Sequence, residues 1–279
     1  MLERLITDNC SEKYIEVGEG VKLHITDKGS GQPIVLLPGL PMSDEIFKFT
    51  YEALVANGYR AIGITLRGFG KSDSGSHYDI DLHAKDVDTV LMTLELEDVV
   101  LVGYSYGGTI AAYYAAVYKP GIVKKLILIS ANVPAYVQRD DYPFGVTPEA
   151  FDEIIAFSKT NLKEMVDVYG PLFQLEKSFM PLSLGNWITG INLQATQEAV
   201  TQGLIILRNL DLRPLLSQIE ISTTIFHDKN DNTVPFELAE QTLLGLPNAK
   251  LVVFDQGGHW FIFTETERFN KELLLAINK

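Results

Sequence analysis

Residues 103–109 read GYSYGGT, a serine with a glycine two residues to either side. A serine hydroxyl can attack a carbonyl carbon, but near neutral pH it needs a base to take its proton and an acid to orient that base. Two later stretches supply those residue types. FHDKNDNTVP holds Asp231, with Asp228 close by, and DQGGHWF holds His259. The Gly-x-Ser-x-Gly spacing is short, and a serine in an ordinary turn also satisfies it. Its meaning depends on the elements that carry it.

Those elements alternate. KYIEV and VKLHIT are separated by GEG and read as a hairpin, and PIVLL is a continuous apolar run, as expected of a strand buried on both faces. A helix pattern over 44–57, a strand YRAIGITL, a helix DLHAKDVDTVLMTLE, a strand DVVLVGYS, a helix YGGTIAAYYAAVY ending near Pro120 and a strand VKKLILIS follow in turn. Such alternation predicts an α/β fold with a mostly parallel, right-handed sheet flanked by helices on both faces. After Asn132-Val133-Pro134 the rhythm changes to helical stretches rich in aromatic residues. It resumes with ISTTIFH, PFELAEQTLLG, AKLVVFD and ETERFNKELLLAIN. The expected organisation is a core in two parts, 1–134 and 212–279, interrupted by a helical cap insertion over 135–211.

Placed on these elements, Ser105 falls between a buried strand and a helix, which is the setting of a nucleophile elbow. Gly103 and Gly107 would let neighbouring backbone approach the sharp turn without clashing β-carbons. Asp231 and His259 follow the last two core strands, so both loops should open on the same sheet edge as Ser105. The chain order Ser, Asp, His agrees with that arrangement.

The sequence resembles the α/β-hydrolases, and nearly the whole chain takes part. The motifs are LLPGLP, LRGFGKSD, VGYSYGGT, HDKNDNTVP and GGH. Within the superfamily it is most similar to the cofactor-free haloperoxidases and arylesterases, while enol-lactonases and carbon–carbon bond hydrolases share most of these motifs. The resemblance implies an eight-stranded sheet, Ser105 as nucleophile, His259 as general base and then acid, and Asp231 as the carboxylate that orients it. It also implies an oxyanion hole at the backbone N–H groups of Leu40 and Tyr106. Asp228 is the competing acid; Asp231 has the matching spacing before Val234-Pro235. Where many relatives have His-Gly this chain has Pro38-Gly39, and Thr65-Leu66-Arg67-Gly68 stands in place of Asp-x-Arg-Gly. Both positions belong to loop scaffolding.

The remaining features set limits. A net charge of −13 opposes nucleic acid and anionic membrane surfaces as partners and favours a neutral small molecule. One cysteine, Cys10, cannot form an intrachain disulfide or a multi-thiolate metal site. His24, His77, His83 and His227 show no metal spacing, and a Ser/His/Asp site needs neither a metal nor another cofactor, so none is expected; His77 and His83 read as parts of a polar surface segment. Arg67, Lys71 and Asp73 read as supports of their own loop. Phe144, Phe157, Phe173, Phe179 and Trp187 supply the aromatic content of the cap, mostly for packing, with a few expected at the ligand. Neither a secretory leader nor a membrane-spanning run is apparent, and cytoplasmic residence is the expectation. The function expected is hydrolysis of carboxylic esters with small to medium apolar groups, with perhydrolysis, lactone opening and carbon–carbon hydrolysis as alternatives. A non-catalytic small-molecule receptor is the rival from another class.

Overall fold

The computed structural model describes residues 10–119, 121–169 and 180–278. Phe173, Phe179 and Pro120 lie outside them. Eight strands form one sheet: β1 (Cys10–Gly18), β2 (Val21–Gly29), β3 (Pro33–Leu37), β4 (Arg60–Ile64), β5 (Val99–Tyr104), β6 (Val123–Ile129), β7 (Ser222–Asp228) and β8 (Ala249–Phe254). Their spatial order is β1-β2-β4-β3-β5-β6-β7-β8. The β1–β2 hairpin and the β2–β4 pair are antiparallel, and all pairs from β4 to β8 are parallel.

The parallel strands explain their own sequences. Every residue of β3 and β5 is buried, because helices cover both faces. The two-residue period of a strand divides their side chains between two cores. Val35, Leu37, Leu101, Leu126 and Leu128 join one cluster, with α2 (Ile80–Thr93), α3 (Tyr106–Val117) and α8 (Phe236–Gly245). Ile34, Leu36, Val100, Val102, Ile127 and Ile129 join the other, with α1 (Lys48–Ala56) and α10 (Thr266–Asn278). A short helix α9 (Phe261–Thr264) leads into α10. The helix expected over 44–57 is divided: residues 44–47 form a tighter 3-10 turn before α1 begins.

Between β6 and β7 lie α4 (Pro148–Ser158), α5 (Leu162–Tyr169), α6 (Leu182–Asn192) and α7 (Gln197–Asn209), with no strand of the main sheet among the described residues. Thr147 and Thr196 cap α4 and α7 by accepting from Ala150 and Ala199 N–H, which satisfies donors that have no partner inside the helix. The sequence pattern did not mark α6; LSLGNWITGIN carries two glycines and only a mixed apolar face. This helical segment leaves and returns to the core at one place, where Leu212 N–H donates to the Pro134 carbonyl at 2.8 Å. It rests on the carboxyl edge of the sheet. Thr196 N–H donates to the Gly68 carbonyl, and a β-carbon on Gly203 would stand 2.2 Å from Leu40 Cδ1.

Candidate active site

Ser105 sits at the junction of β5 and α3 with φ 52° and ψ −118°. A non-glycine residue held there stores about 1–3 kcal/mol of backbone strain, so its surroundings must fix it. Its N–H donates to the Ile129 carbonyl at 2.8 Å, and its carbonyl accepts from Gly108 and Thr109 N–H in the first turn of α3. The flanking glycines act by close approach. A β-carbon on Gly103 would lie 2.4 Å from the Gly107 carbonyl oxygen, and one on Gly107 would lie 2.3 Å from the Leu37 carbonyl oxygen. The start of α3 is thereby pressed against both its own strand and the end of β3. Gly39, in the loop after β3, is also close, since its β-carbon would meet Ser105 Cβ at 3.0 Å.

That loop carries Leu40. Neither Leu40 N–H nor Tyr106 N–H donates to a described residue, and both residues line the same cavity as Ser105. The Tyr106 donor is free because the first amides of a helix have no acceptor one turn earlier.

The other two candidates meet each other. His259 Nδ1 lies 2.9 Å from Asp231 Oδ2. The second oxygen of Asp231 accepts from Thr233 N–H at 2.9 Å and Val234 N–H at 2.8 Å, so both oxygens are aimed. Burial alone would raise the pKa of this carboxyl. The neighbouring His259 and His227, with the Val234 N–H, outweigh it and hold the pKa below the usual carboxylate range. His227 is also buried, which lowers its own pKa, and its Nε2 is 2.8 Å from the Val234 carbonyl, where it donates.

Asp228 has a different setting. Its oxygens accept from Asn230 N–H at 2.8 Å and Gly257 N–H at 2.9 Å, tying the loop after β7 to the loop after β8. It braces the loops that hold Asp231 and His259. The histidine is further placed by Tyr104, the residue before Ser105. The Tyr104 hydroxyl donates to the His259 carbonyl at 2.8 Å, and the two rings lie 5.1 Å apart at 30°. Sequence reasoning passed over Tyr104, although an aromatic residue at the end of a wholly buried strand was its visible signal.

The Ser105 hydroxyl stands 3.5 Å from Asn132 Oδ1, a long contact from the loop after β6. The cavity that Ser105 enters has a volume of about 90 Å³. Leu40, Pro41 and Tyr106 form its floor, and Phe151, Ile154, Met165, Val166, Leu204 and Leu207 of α4, α5 and α7 form its apolar roof together with Tyr136. The described ones among the aromatic residues singled out in the sequence, Phe144, Phe157 and Trp187, do not line it. Phe144 and Phe157 pack on the larger core, and Trp187 packs edge-on against Phe49 and Phe263.

The supporting loops are tied together in ways the sequence did not disclose. Arg67 reaches beyond its loop to α2 and forks both oxygens of Asp86 at 2.7 Å, with both side chains buried. His83 is buried as well, edge-on to the Tyr106 ring, instead of lying at a polar surface. Thr65 donates to Asp44 Oδ1 and accepts from Asp44 N–H at 3.1 Å. Asp44 also accepts from the Tyr51 hydroxyl at 2.7 Å, so the buried carboxylate of this region comes from the loop after β3. Among the described residues no group of three metal-ligating side chains is assembled, and no helix is long and apolar enough to cross a membrane.

Comparison with known proteins agrees with this architecture. Over 92% of its length the chain is 36% identical to the AB hydrolase superfamily protein YisY of Bacillus subtilis, covering 96% of that protein. It is 31% identical to a non-heme haloperoxidase of Rhodococcus erythropolis, over 95% of this chain and 98% of the other. The solved structure of an esterase from Exiguobacterium antarcticum superposes with a TM-score of 0.93 at 35% identity, covering 96% of this chain and all of that one. Residues 32–266 match the family described as alpha/beta hydrolase fold, and the chain belongs to that family, near its haloperoxidase group.

Proposed function

We propose that this hydrolase cleaves carboxylic esters with small apolar acyl groups through a Ser105–His259–Asp231 relay and an acyl-enzyme. The observation that carries the reading is the aimed Asp231–His259 pair on the same sheet edge as a strained, glycine-flanked serine. Asp231 holds the imidazole by Nδ1, which leaves Nε2 to take the Ser105 proton as Oγ attacks the ester carbonyl. The developing oxyanion is met by Leu40 and Tyr106 N–H, and loss of one such donor typically costs about 10²–10³ in rate. His259 then protonates the departing alcohol, and water releases the acid by the same steps in reverse. The helical segment 135–211 serves as a cap whose apolar side chains select the acyl group.

Hydrolysis of p-nitrophenyl esters of graded acyl length tests the reading. Turnover should be greatest for short acyl chains, fall steeply as the chain outgrows the cavity, and disappear in Ser105→Ala. Turnover that survives in Ser105→Ala would contradict it.

The haloperoxidase relative supports a second reading, in which hydrogen peroxide replaces water at deacylation and yields a peracid. Halogenation would then require both peroxide and an added carboxylic acid, and halogenation without the acid would exclude this route.

A further inference from the structure

The apolar cavity at Ser105 contains a polar side chain with nothing to bind. Asn192, the last residue of α6, is 5% exposed, and its Oδ1 has no hydrogen-bond partner among the described residues. Thr233 Oγ1, in the wall of the same cavity, is likewise buried without a partner. The Thr233 backbone is fully engaged, its N–H with Asp231 Oδ1 at 2.9 Å and its carbonyl with the Tyr136 hydroxyl at 2.6 Å. Its side chain is therefore held at the cavity wall by contacts made elsewhere. Folded chains rarely leave buried polar atoms unpaired, and those that remain at a ligand site are met by ligand or water.

Asn192 has a second distinction. It and Val166 also line a neighbouring cavity of about 240 Å³, so they stand where the two spaces adjoin. The neighbouring space differs in character. Asp167, Asn186 and Thr189 contribute to its wall, and so does Trp260, the residue after His259. Trp260 brings this space to the side of His259, the group that would protonate an alcohol as its bond to the acyl carbon breaks, while the acyl group stays on Ser105 beside the smaller apolar space.

We infer that Asn192 is a specificity-determining residue that accepts a hydrogen bond from a hydroxyl on the alcohol part of the substrate, which makes the preferred substrates small-acid monoesters of polyols. The inference rests on the ester-hydrolase reading above and adds the chemistry of the leaving group. The small cavity takes the acyl chain, the larger one, with its mixed lining, takes the alcohol, and Asn192 reads the hydroxyl nearest the ester. An apolar alcohol of equal size would bury the same carboxamide and leave it unpaired, which is the situation that gives a polar site its discrimination.

The test compares glycerol 1-acetate with 2-methylbutyl acetate, in which methyl groups replace both hydroxyls, using p-nitrophenyl acetate as a reference. In the wild type, kcat/KM for glycerol 1-acetate should exceed that for 2-methylbutyl acetate by at least about tenfold. In Asn192→Leu this ratio should fall close to one. A wild type without the preference would overturn the inference and assign the unpaired oxygen to a bound water, and this result needs no variant to fold. A ratio that persists in Asn192→Leu would overturn it too, as would a preference seen only for a hydroxyl on the acyl side, in a 3-hydroxybutanoate ester. If p-nitrophenyl acetate itself is not turned over, the ester-hydrolase reading fails and this inference fails with it.

Discussion

Asp231 and His259 lie 28 positions apart in the chain and meet at 2.9 Å, carboxylate to Nδ1, from the loops that follow the neighbouring parallel strands β7 and β8. The contact leaves Asp228, only three residues before Asp231, to hold two loop amides. Two nearby carboxylates thus have separable tasks.

Asp231→Asn should lower kcat on a p-nitrophenyl ester by about 10⁴, because the amide favours the wrong imidazole tautomer while keeping the geometry. Asp228→Asn should mainly lower stability, by about 1–3 kcal/mol, because hydrogen bonds from two loop amides lose a charged acceptor. Steady-state rates and urea midpoints on both variants check this. A larger rate loss for Asp228→Asn would reverse the two roles.

Gly107→Ala places a helix-favouring residue in the first turn of α3, where propensity alone would stabilise by up to about 1 kcal/mol. The backbone carbonyls of Leu37 and Pro38 occupy the space of the new methyl group, at 2.3 and 2.5 Å. Stability should therefore fall by about 2–3 kcal/mol, and turnover should fall as the Leu40 loop is pushed aside. A stabilised variant in urea denaturation would show that α3 and the β3 loop are not in such close contact.

His83 gives a pH dependence of known sign. Burial, with the nearby Arg67 charge, pushes its native pKa down to about 3. In the unfolded chain the value returns to about 6.5, so unfolded chains bind this proton first as the pH falls. Its contribution to stability is complete above pH ~6.5 and is lost progressively toward the native pKa, with a slope of up to about 1.4 kcal/mol per pH unit. His227, also lowered by burial, adds in the same direction. His83→Phe should keep the edge-on packing against Tyr106 and flatten the slope between pH 6 and pH 4.5 by one proton's share. Thermal unfolding across that range measures it, and an unchanged slope would mean that His83 is protonated in the native state.

The sheet and the loop endings were legible because local signals agreed there. β3 and β5 were visible as unbroken apolar runs, and Ser105, Asp231 and His259 each follow a strand at the same edge. Contacts between distant segments left no such mark. The partnership of Arg67 with Asp86, the burial of His83 and the contact of Tyr104 with His259 depend on how α2, β5 and the β8 loop pack. Helix α6 escaped notice because its glycines and mixed face weaken the 3.6-residue pattern. Which aromatic residues line the cavity was not legible for a related reason. Aromatic content shows that a segment is packed, but Phe151 and Tyr136, and not Phe144 or Trp187, reach the ligand space because of where α4 and the preceding chain rest on the sheet edge.

The central claim is that Ser105 is an activated nucleophile, and a fluorophosphonate tests it without knowledge of the substrate. Its phosphorus accepts an activated serine oxygen and releases fluoride. Intact-mass measurement of wild type and Ser105→Ala after exposure to the probe should show one adduct on the wild type and none on the variant. An unlabelled wild type, with the cavity open to the probe, or an adduct that persists in Ser105→Ala, would contradict the account.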